Sequence, residues 1–72
     1  MIAKTIKQLS NYINVGERFK VINGSWIGHI ISKNKNGLII DIYDYNNIVR
    51  NNISLNYDYN CDLSIIKLRR IT

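Results

Sequence analysis

The sequence predicts a mainly β protein in which an N-terminal amphipathic helix precedes a small five-stranded antiparallel barrel. Asn-Gly dipeptides stand at 23–24 and 36–37. Asn-Gly is the strongest short-range signal for a tight hairpin, because both residues tolerate the positive φ of a type I′ turn. The segments around both dipeptides are rich in β-branched and aromatic residues, which favour strands. We therefore expect one domain, with the helix in residues 1–14 and the barrel in residues 15–72.

The helix is predicted from about Ile2 to Tyr12. Its apolar residues recur at the spacing of one helical face, namely at Ile2, Ile6, Leu9 and Ile13. A helix this short is stable only when it packs on the rest of the protein. Asn14 or Gly16 supplies a residue that tolerates the left-handed conformation common where helices end.

After Glu17 the apolar residues alternate with a period of two, which indicates strands. The first three strands are predicted from Arg18 to Asn23, from Trp26 to Lys33 and from Gly37 to Tyr43. The runs from Asn46 to Arg50 and from Ile53 to Tyr57 form either two strands or one strand with a bulge at Asn51-Asn52, and the last strand runs from Leu63 to Ile71. Alternation places Phe19 and Val21 on one face of the first strand and Lys20 and Ile22 on the other, and it directs Leu38, Ile40 and Ile42 inward.

Five short twisted strands tend to close into a barrel, because closure removes exposed sheet edges. The chain from about residue 15 to 43 also resembles an SH3-like barrel of the KOW type. The resemblance rests on Gly16-Glu17, on the strand with Phe19 and Val21, and on Gly24 and Gly28 four residues apart before an apolar strand. It implies the SH3-like fold and the ribosome- and transcription-associated setting in which KOW domains occur.

Composition restricts the class of protein. The chain has 72 residues, of which 46% are hydrophobic, so it has a core, but a small one that a binding partner would stabilise. Cys61 is the only cysteine, which excludes an intramolecular disulfide and favours a reducing compartment. Residues 1–14 carry no continuous apolar run of the kind found in a signal peptide or membrane span. We expect a cytoplasmic protein with no membrane partner.

The formal net charge is +5 and the pI is about 9.6. The charge is uneven, because Lys and Arg dominate residues 1–40 and 63–72 whereas Asp dominates residues 41–62. A basic balance of this kind is typical of a protein with an anionic partner. Solubility is the alternative explanation for a charge of this size on a small domain.

Motifs for catalysis are missing from the sequence. His29 and Cys61 are the only residues of their types, too few for a zinc site within one chain, and no phosphate-binding glycine-rich loop is present. As a nucleophile pair they are a weak candidate, since a small β protein commonly has one buried cysteine and one strand histidine. We expect no enzyme activity, no catalytic residue, no metal and no cofactor.

The first functional hypothesis is a nucleic-acid-binding module. Lysines and arginines would contact phosphates and an aromatic ring would stack on bases, as single-stranded nucleic acid is commonly bound. The candidate residues are Arg18, Lys20, Trp26, Lys33 and Lys35. The structural alternative is that Trp26 packs on the helix or closes one end of the barrel.

The second hypothesis is a protein-binding accessory protein or inhibitor, such as a phage or other mobile element encodes against a host defence or nucleoprotein complex. Tyrosine is a frequent interface anchor, and the acidic segment repeats Tyr-Asp-Tyr-Asn at 43–46 and 57–60. The candidate interface residues are Tyr43, Tyr45, Tyr57, Tyr59, Lys67, Arg69 and Arg70. Half-buried strand tyrosines and a solvated basic strand edge are the structural alternatives, and a homo-oligomer is compatible with this hypothesis.

Overall fold

The described part of the chain forms an antiparallel sheet of six strands and one short helix. The structure is a computed structural model that describes residues 1–44 and 47–68. The elements, in chain order, are β1 (Ile2–Thr5), α1 (Ile6–Tyr12), β2 (Arg18–Val21), β3 (Trp26–Lys33), β4 (Gly37–Tyr43), β5 (Ile48–Asn56) and β6 (Asn60–Lys67). The strands lie in the order β1-β6-β2-β3-β4-β5. The sheet is therefore open, with β1 and β5 at its two edges.

The core lies between α1 and one face of the sheet, which we call the inner face. Its buried residues are Ala3, Ile6, Leu9, Ile13, Phe19, Val21, Ile30, Leu38, Ile40 and Ile65. Ile42 is half-buried and packs against this cluster. The predicted inward residues of β4 and the predicted shared face of Phe19 and Val21 are thus confirmed, because the alternation of a strand places every second side chain on the same face.

The predicted helix begins too early, and this is why the sheet has six strands instead of five. Ile2 and Ala3 pair with Ser64 and Leu63 of β6, so Ile2–Thr5 is strand β1. The helix starts only after Thr5, whose side-chain oxygen accepts a hydrogen bond of 3.2 Å from the backbone N–H of Gln8, as an N-cap residue does. Pairing with β6 gives the backbone of residues 2–5 the hydrogen bonds that a first helical turn would lack.

The uncertain segment before Tyr57 is one strand with a bulge, the second of the two alternatives. Ile40 pairs with Ile53 while Ile42 pairs with Arg50, so residues 51 and 52 together stand opposite Asp41. Asn52 adopts a positive φ of 54°, and its backbone N–H donates a 2.9 Å hydrogen bond to Oδ1 of Asp41. The Asp41 carboxylate therefore satisfies a donor that the bulge removes from the ladder.

β3 and β4 have the predicted bounds, and β2 ends at Val21. β6 starts at Asn60, three residues earlier than predicted, and is described to Lys67. The end of the predicted last strand, residues 69–71, lies outside the described residues.

The Asn-Gly turns reverse the chain where the sequence predicts, but they are not type I′ turns. Neither Gly24 nor Gly37 has a positive φ. Val21 pairs with Trp26, so the first turn is a four-residue loop, and its positive φ of 58° falls on Ser25. The backbone N–H of Ser25 donates a 2.9 Å hydrogen bond to the carbonyl of Val21, which closes the loop one residue later than a two-residue turn.

Asn23 connects this loop to β6. Its Nδ2 donates a 2.7 Å hydrogen bond to the carbonyl of Asp62, and its Oδ1 accepts a 3.1 Å bond from the backbone N–H of Ser64. The side chain thus continues the ladder between β2 and β6 past the end of β2. Asn is needed here for its paired donor and acceptor, and not for a left-handed backbone.

We expect Asn23→Ala to lower the free energy of unfolding by about 1–2 kcal/mol, because it removes two inter-strand hydrogen bonds worth roughly 0.5–1.5 kcal/mol each at a solvent-exposed site. Urea unfolding followed by Trp26 fluorescence measures the effect. Asn11→Ala is the matched control, since Asn11 is exposed on α1, and we expect it to leave stability unchanged or slightly raised. Equal stability of the two variants would contradict the role given to Asn23.

Candidate interaction surfaces

The outer face of the sheet, opposite the core, carries the basic residues of β2. Arg18 and Lys20 alternate with the buried Phe19 and Val21, so they point away from the core. Across β3, Arg18 pairs with His29 and Lys20 with Ile27. Basic and apolar side chains are therefore mixed on this face.

Three neighbouring isoleucines are exposed on the same face, and we call Ile2, Ile22 and Ile66 the isoleucine cluster. They surround Ser64, which pairs with Ile2 and whose carbonyl accepts a 2.8 Å hydrogen bond from the N–H of Ile22. Ile66 lies two residues further along β6 and pairs with Lys20. The exposed fractions are 57% for Ile2, 51% for Ile22 and 50% for Ile66. A solvent-facing sheet surface usually carries polar residues, so this group is unusual.

Sequence reasoning missed this cluster. It placed Ile2 on the buried side of a helix that in fact begins at Ile6. Ile22 was predicted to share a face with Lys20, opposite Phe19 and Val21, and that prediction was the available signal. Only the pairing of β1 and β2 with β6 brings the three side chains together.

The candidate nucleic-acid residues are divided between two faces. Trp26 pairs with the buried Val21 and therefore points to the inner face, away from Arg18 and Lys20. Its ring packs edge-to-face on Phe19, with 5.9 Å between ring centroids and an interplanar angle of 68°. This geometry corresponds to the structural alternative, in which Trp26 packs at one end of the core.

Lys33 and Lys35 flank the turn between β3 and β4. Nζ of Lys33 donates a 2.6 Å hydrogen bond to the carbonyl of Ser10, one of the last carbonyls of α1, which lack a partner within the helix. A cation at this end of a helix is favourable, so Lys33 stabilises α1. Lys35 is exposed in the turn.

The described tyrosines do not form one surface. Tyr43 lies at the end of β4 on the outer face, opposite Ile27. Tyr57 follows the end of β5 and packs partly against the core, and since β4 and β5 are antiparallel these two tyrosines lie at opposite ends of the strand pair. Tyr59 is 57% exposed. Tyr45 lies outside the described residues.

The basic residues near the chain end are only partly described. Nζ of Lys67 lies 3.8 Å from Oε1 of Glu17 and 5.1 Å from the centroid of the Tyr12 ring. Lys67 therefore contacts the segment that connects α1 to β2 and the last residue of α1. Arg69 and Arg70 lie outside the described residues.

An open groove of about 540 Å³ occupies the inner face beside the loop between β2 and β3. Its apolar wall consists of Trp26, Ile42 and Ile53, and Asp44 and Arg50 supply charged groups. It is shallow and open to solvent, so it is a surface depression and not an enclosed ligand cavity.

His29 and Cys61 lie on opposite faces of the sheet and cannot act as a pair. His29 pairs with Arg18 and Asp41 on the outer face, whereas Cys61 packs against the core. The Cys61 thiol donates a 3.3 Å hydrogen bond to the carbonyl of Ala3, and burial raises the pKa of this thiol above its ordinary value. A raised pKa lowers the thiolate fraction and hence the nucleophilicity.

No three side chains of His, Cys, Asp or Glu in residues 1–44 and 47–68 come together as metal ligands. The helix in these residues, α1, lacks the length and apolar character needed to cross a bilayer. Comparisons of the chain with known proteins found no matching family model, no significantly similar curated protein and no significantly similar solved structure.

Proposed function

We propose that this protein is a non-enzymatic binding module that binds another protein through the outer face of its sheet. The observation that supports this proposal is the isoleucine cluster. Single exposed apolar residues are ordinary on protein surfaces, but three adjacent isoleucines about half exposed on one sheet face form a patch of the kind that marks an interaction site.

The chemistry of the outer face specifies the kind of partner. Arg18 is exposed on the strand adjacent to Ile66, and the chain carries a net charge of +5. Interfaces commonly combine an apolar centre with a polar rim. The proposed partner is therefore a protein with an apolar patch bordered by acidic groups. A protein that binds such a partner and covers its apolar patch needs no catalytic group. We therefore include an accessory or inhibitor role in the proposal.

We propose that β2–β6 have the strand order of an SH3-like barrel that is open between β5 and β6. The support is the pairing of β2 with β6, because the first and last strands of a five-stranded barrel must lie side by side. β1 then adds a strand beside β6, next to the proposed barrel unit.

Nucleic acid is the second candidate ligand, and the position of Arg18 and Lys20 on one face of β2 favours it. Two basic residues on one face and a net charge of +5 give a non-specific attraction to phosphates that weakens steeply with salt. Trp26 is on the inner face and would not stack on a strand bound at Arg18 and Lys20.

Affinity capture from a lysate of the organism that carries the gene, with and without nuclease, distinguishes the two candidates. We expect a captured protein that resists nuclease and whose apparent Kd rises at least about tenfold with Ile66→Asp, equivalent to roughly 1.4 kcal/mol. Val15→Asp is the matched control, since Val15 is 50% exposed but lies outside the sheet. Release of the captured material by nuclease, with no effect of Ile66→Asp and a loss with Arg18→Ala, would instead favour the second candidate.

A further inference from the structure

The two edges of the sheet differ in how they are protected from pairing with another chain. β1 has four residues and contains Lys4, and a short strand with a lysine is a common protection against edge-to-edge association. β5 has nine residues, and its segment from Asn52 to Asn56 contains neither a charge nor a proline. Among the described elements, β4 is the one that pairs with β5.

The hydrogen bonds fix which backbone groups of β5 point away from β4. The N–H of Tyr57 donates a 3.0 Å bond to the carbonyl of Asn36, in the register that pairs Leu55 with Leu38 and Ile53 with Ile40. In an antiparallel ladder, hydrogen-bonded pairs alternate. Residues 53 and 55 therefore direct their N–H and C=O groups towards β4, as Tyr57 directs its N–H, and residues 54 and 56 direct theirs to the free edge. The carbonyl of Tyr57 accepts a 3.2 Å bond from the N–H of Lys7 in α1. Because the peptide bonds are trans, the carbonyl of Asn52 also points to that edge.

Two groups near this edge already have partners inside the chain. The N–H of Asn52 donates to Asp41 at 2.9 Å, and the carbonyl of Asn56 accepts a 3.1 Å bond from the N–H of Tyr59. Four edge groups of the described segment then remain for another strand, namely the N–H of Ser54, the C=O of Ser54, the N–H of Asn56 and the C=O of Asn52.

We propose that β5 pairs antiparallel with β5 of a second copy of this chain, about a two-fold axis at Ser54. Each Ser54 N–H then donates to the Ser54 carbonyl of the second copy, and each Asn56 N–H donates to the Asn52 carbonyl of the second copy. These four bonds use all the remaining edge groups. Each Asn52–Asn56 pair would make a second hydrogen bond only between the N–H of Asn52 and the carbonyl of Asn56. Both of these groups are already bonded within their own chain. This self-complementarity is the argument for a second copy and against an unrelated strand.

The side chains agree with this register. Ile53 stands opposite Leu55 of the second copy on the inner face, and both residues are half-buried in one chain. Ser54 faces its own copy on the outer face, and exposed Asn52 faces Asn56. Apolar side chains meet apolar ones and polar side chains meet polar ones without like charges, which is the condition for stable cross-strand pairs.

This dimer does not depend on the proposed partner protein. The isoleucine cluster lies on β1, on β6 and directly after β2, at the other edge of the sheet from β5. Both copies therefore keep that surface open, and the dimer would present it twice.

Sedimentation equilibrium of the intact protein over about 10 µM to 1 mM, a range that covers weak self-association, tests the proposal. We expect the mass to rise with concentration from 8.4 kDa towards twice that value and to stop there. A mass that stays monomeric at the highest concentration would overturn the proposal. Growth beyond the dimer would also overturn it, because the unprotected edge would then be joining other surfaces in an open series.

Ser54→Lys supplies the specific variant, because it places two like charges directly opposite each other across the axis. We expect it to raise the dimer Kd at least about tenfold while the thermal unfolding midpoint at low concentration stays near that of the parent. Ser54→Ala keeps every backbone bond and should dimerise like the parent, and Asn11→Lys adds the same charge far from β5. A folded Ser54→Lys that still dimerises like the parent would contradict the two-fold at Ser54.

Amide hydrogen exchange by NMR on the unmodified protein gives an independent result. Ser54 and Asn56 should exchange fast in dilute solution and become protected at high concentration, since their N–H groups gain acceptors only in the dimer. Unchanged exchange at these two amides would overturn the proposal even if Ser54→Lys fails to fold.

Discussion

Gly28→Ala should lower the free energy of unfolding by about 3 kcal/mol, a large fraction of the protein's stability. A Cβ at position 28 would lie 2.2 Å from Cζ of Phe19 and 2.6 and 2.8 Å from its two Cε atoms. Phe19 is fully buried and pairs directly with Gly28 across β2 and β3, so its ring has no space into which to move. Overpacking of this kind costs about 1–3 kcal/mol and sometimes more. The total stability expected of a chain of 72 residues is only roughly 4–11 kcal/mol.

Urea unfolding and circular dichroism measure this loss, and a second substitution tests its cause. Phe19→Leu removes the ring atoms that the new methyl group would meet, so the double variant Gly28→Ala with Phe19→Leu should be more stable than Gly28→Ala alone. Gly24→Ala is the control. Its Cβ would meet the Trp26 Nε1 at 2.5 Å, but Trp26 is half-exposed and its ring can turn aside. If Phe19→Leu lowers the stability of Gly28→Ala further, the steric explanation is wrong.

We expect Gly37→Ala to destabilise the protein by a similar amount, about 2–4 kcal/mol, but by separating strands instead of crowding the core. A Cβ at position 37 would lie 2.0 Å from the Leu55 carbonyl oxygen and 2.8 Å from the Leu55 carbonyl carbon. These are backbone atoms of the neighbouring strand and cannot rotate away. The start of β4 must therefore move off the end of β5, where Gly37 pairs with Asn56.

Denaturant unfolding gives the stability of Gly37→Ala, and amide exchange locates the damage. Faster exchange should concentrate at Leu55 and Tyr57, whose N–H groups point to β4. Asn36→Ala is the control, since Asn36 is exposed in the same turn and its backbone carbonyl remains available to Tyr57. A Gly37→Ala protein as stable as Asn36→Ala would show that β4 and β5 can separate at that point without cost.

The structure gives a different reason from the sequence for why positions 28 and 37 are glycine. The turn hypothesis placed Gly37 in a type I′ turn for its backbone freedom. In the structure, Gly37 has no positive φ and is needed because the β5 backbone passes too close for any side chain. Gly28, which the sequence placed within the second predicted strand, leaves room for an aromatic ring on the neighbouring strand. A single sequence cannot reveal which neighbour fills the space above a glycine.

The same limit explains what was missed about interaction surfaces. Lys33 belongs by type to a cationic surface, but its ammonium group is bonded to a helix carbonyl 23 positions earlier in the chain. Trp26 belongs by type to a stacking platform, but the register of β2 and β3 directs it inward. The sequence gives the chemical type of each side chain. The face of the sheet on which a side chain lies, and the residues it contacts, depend on which strands pair.

The sequence by itself determined the mainly β character, the positions of β2, β3 and β4, the shared face of Phe19 and Val21, and the inward residues Leu38 and Ile40. It could do so because alternation and turn propensity act between residues only a few positions apart. The tertiary structure alone decided that residues 2–5 form a strand, that Asn23 bonds to β6, and that Ile2, Ile22 and Ile66 meet around Ser64. Each of these depends on pairing between segments about 40 to 60 positions apart, for which local periodicity holds no information.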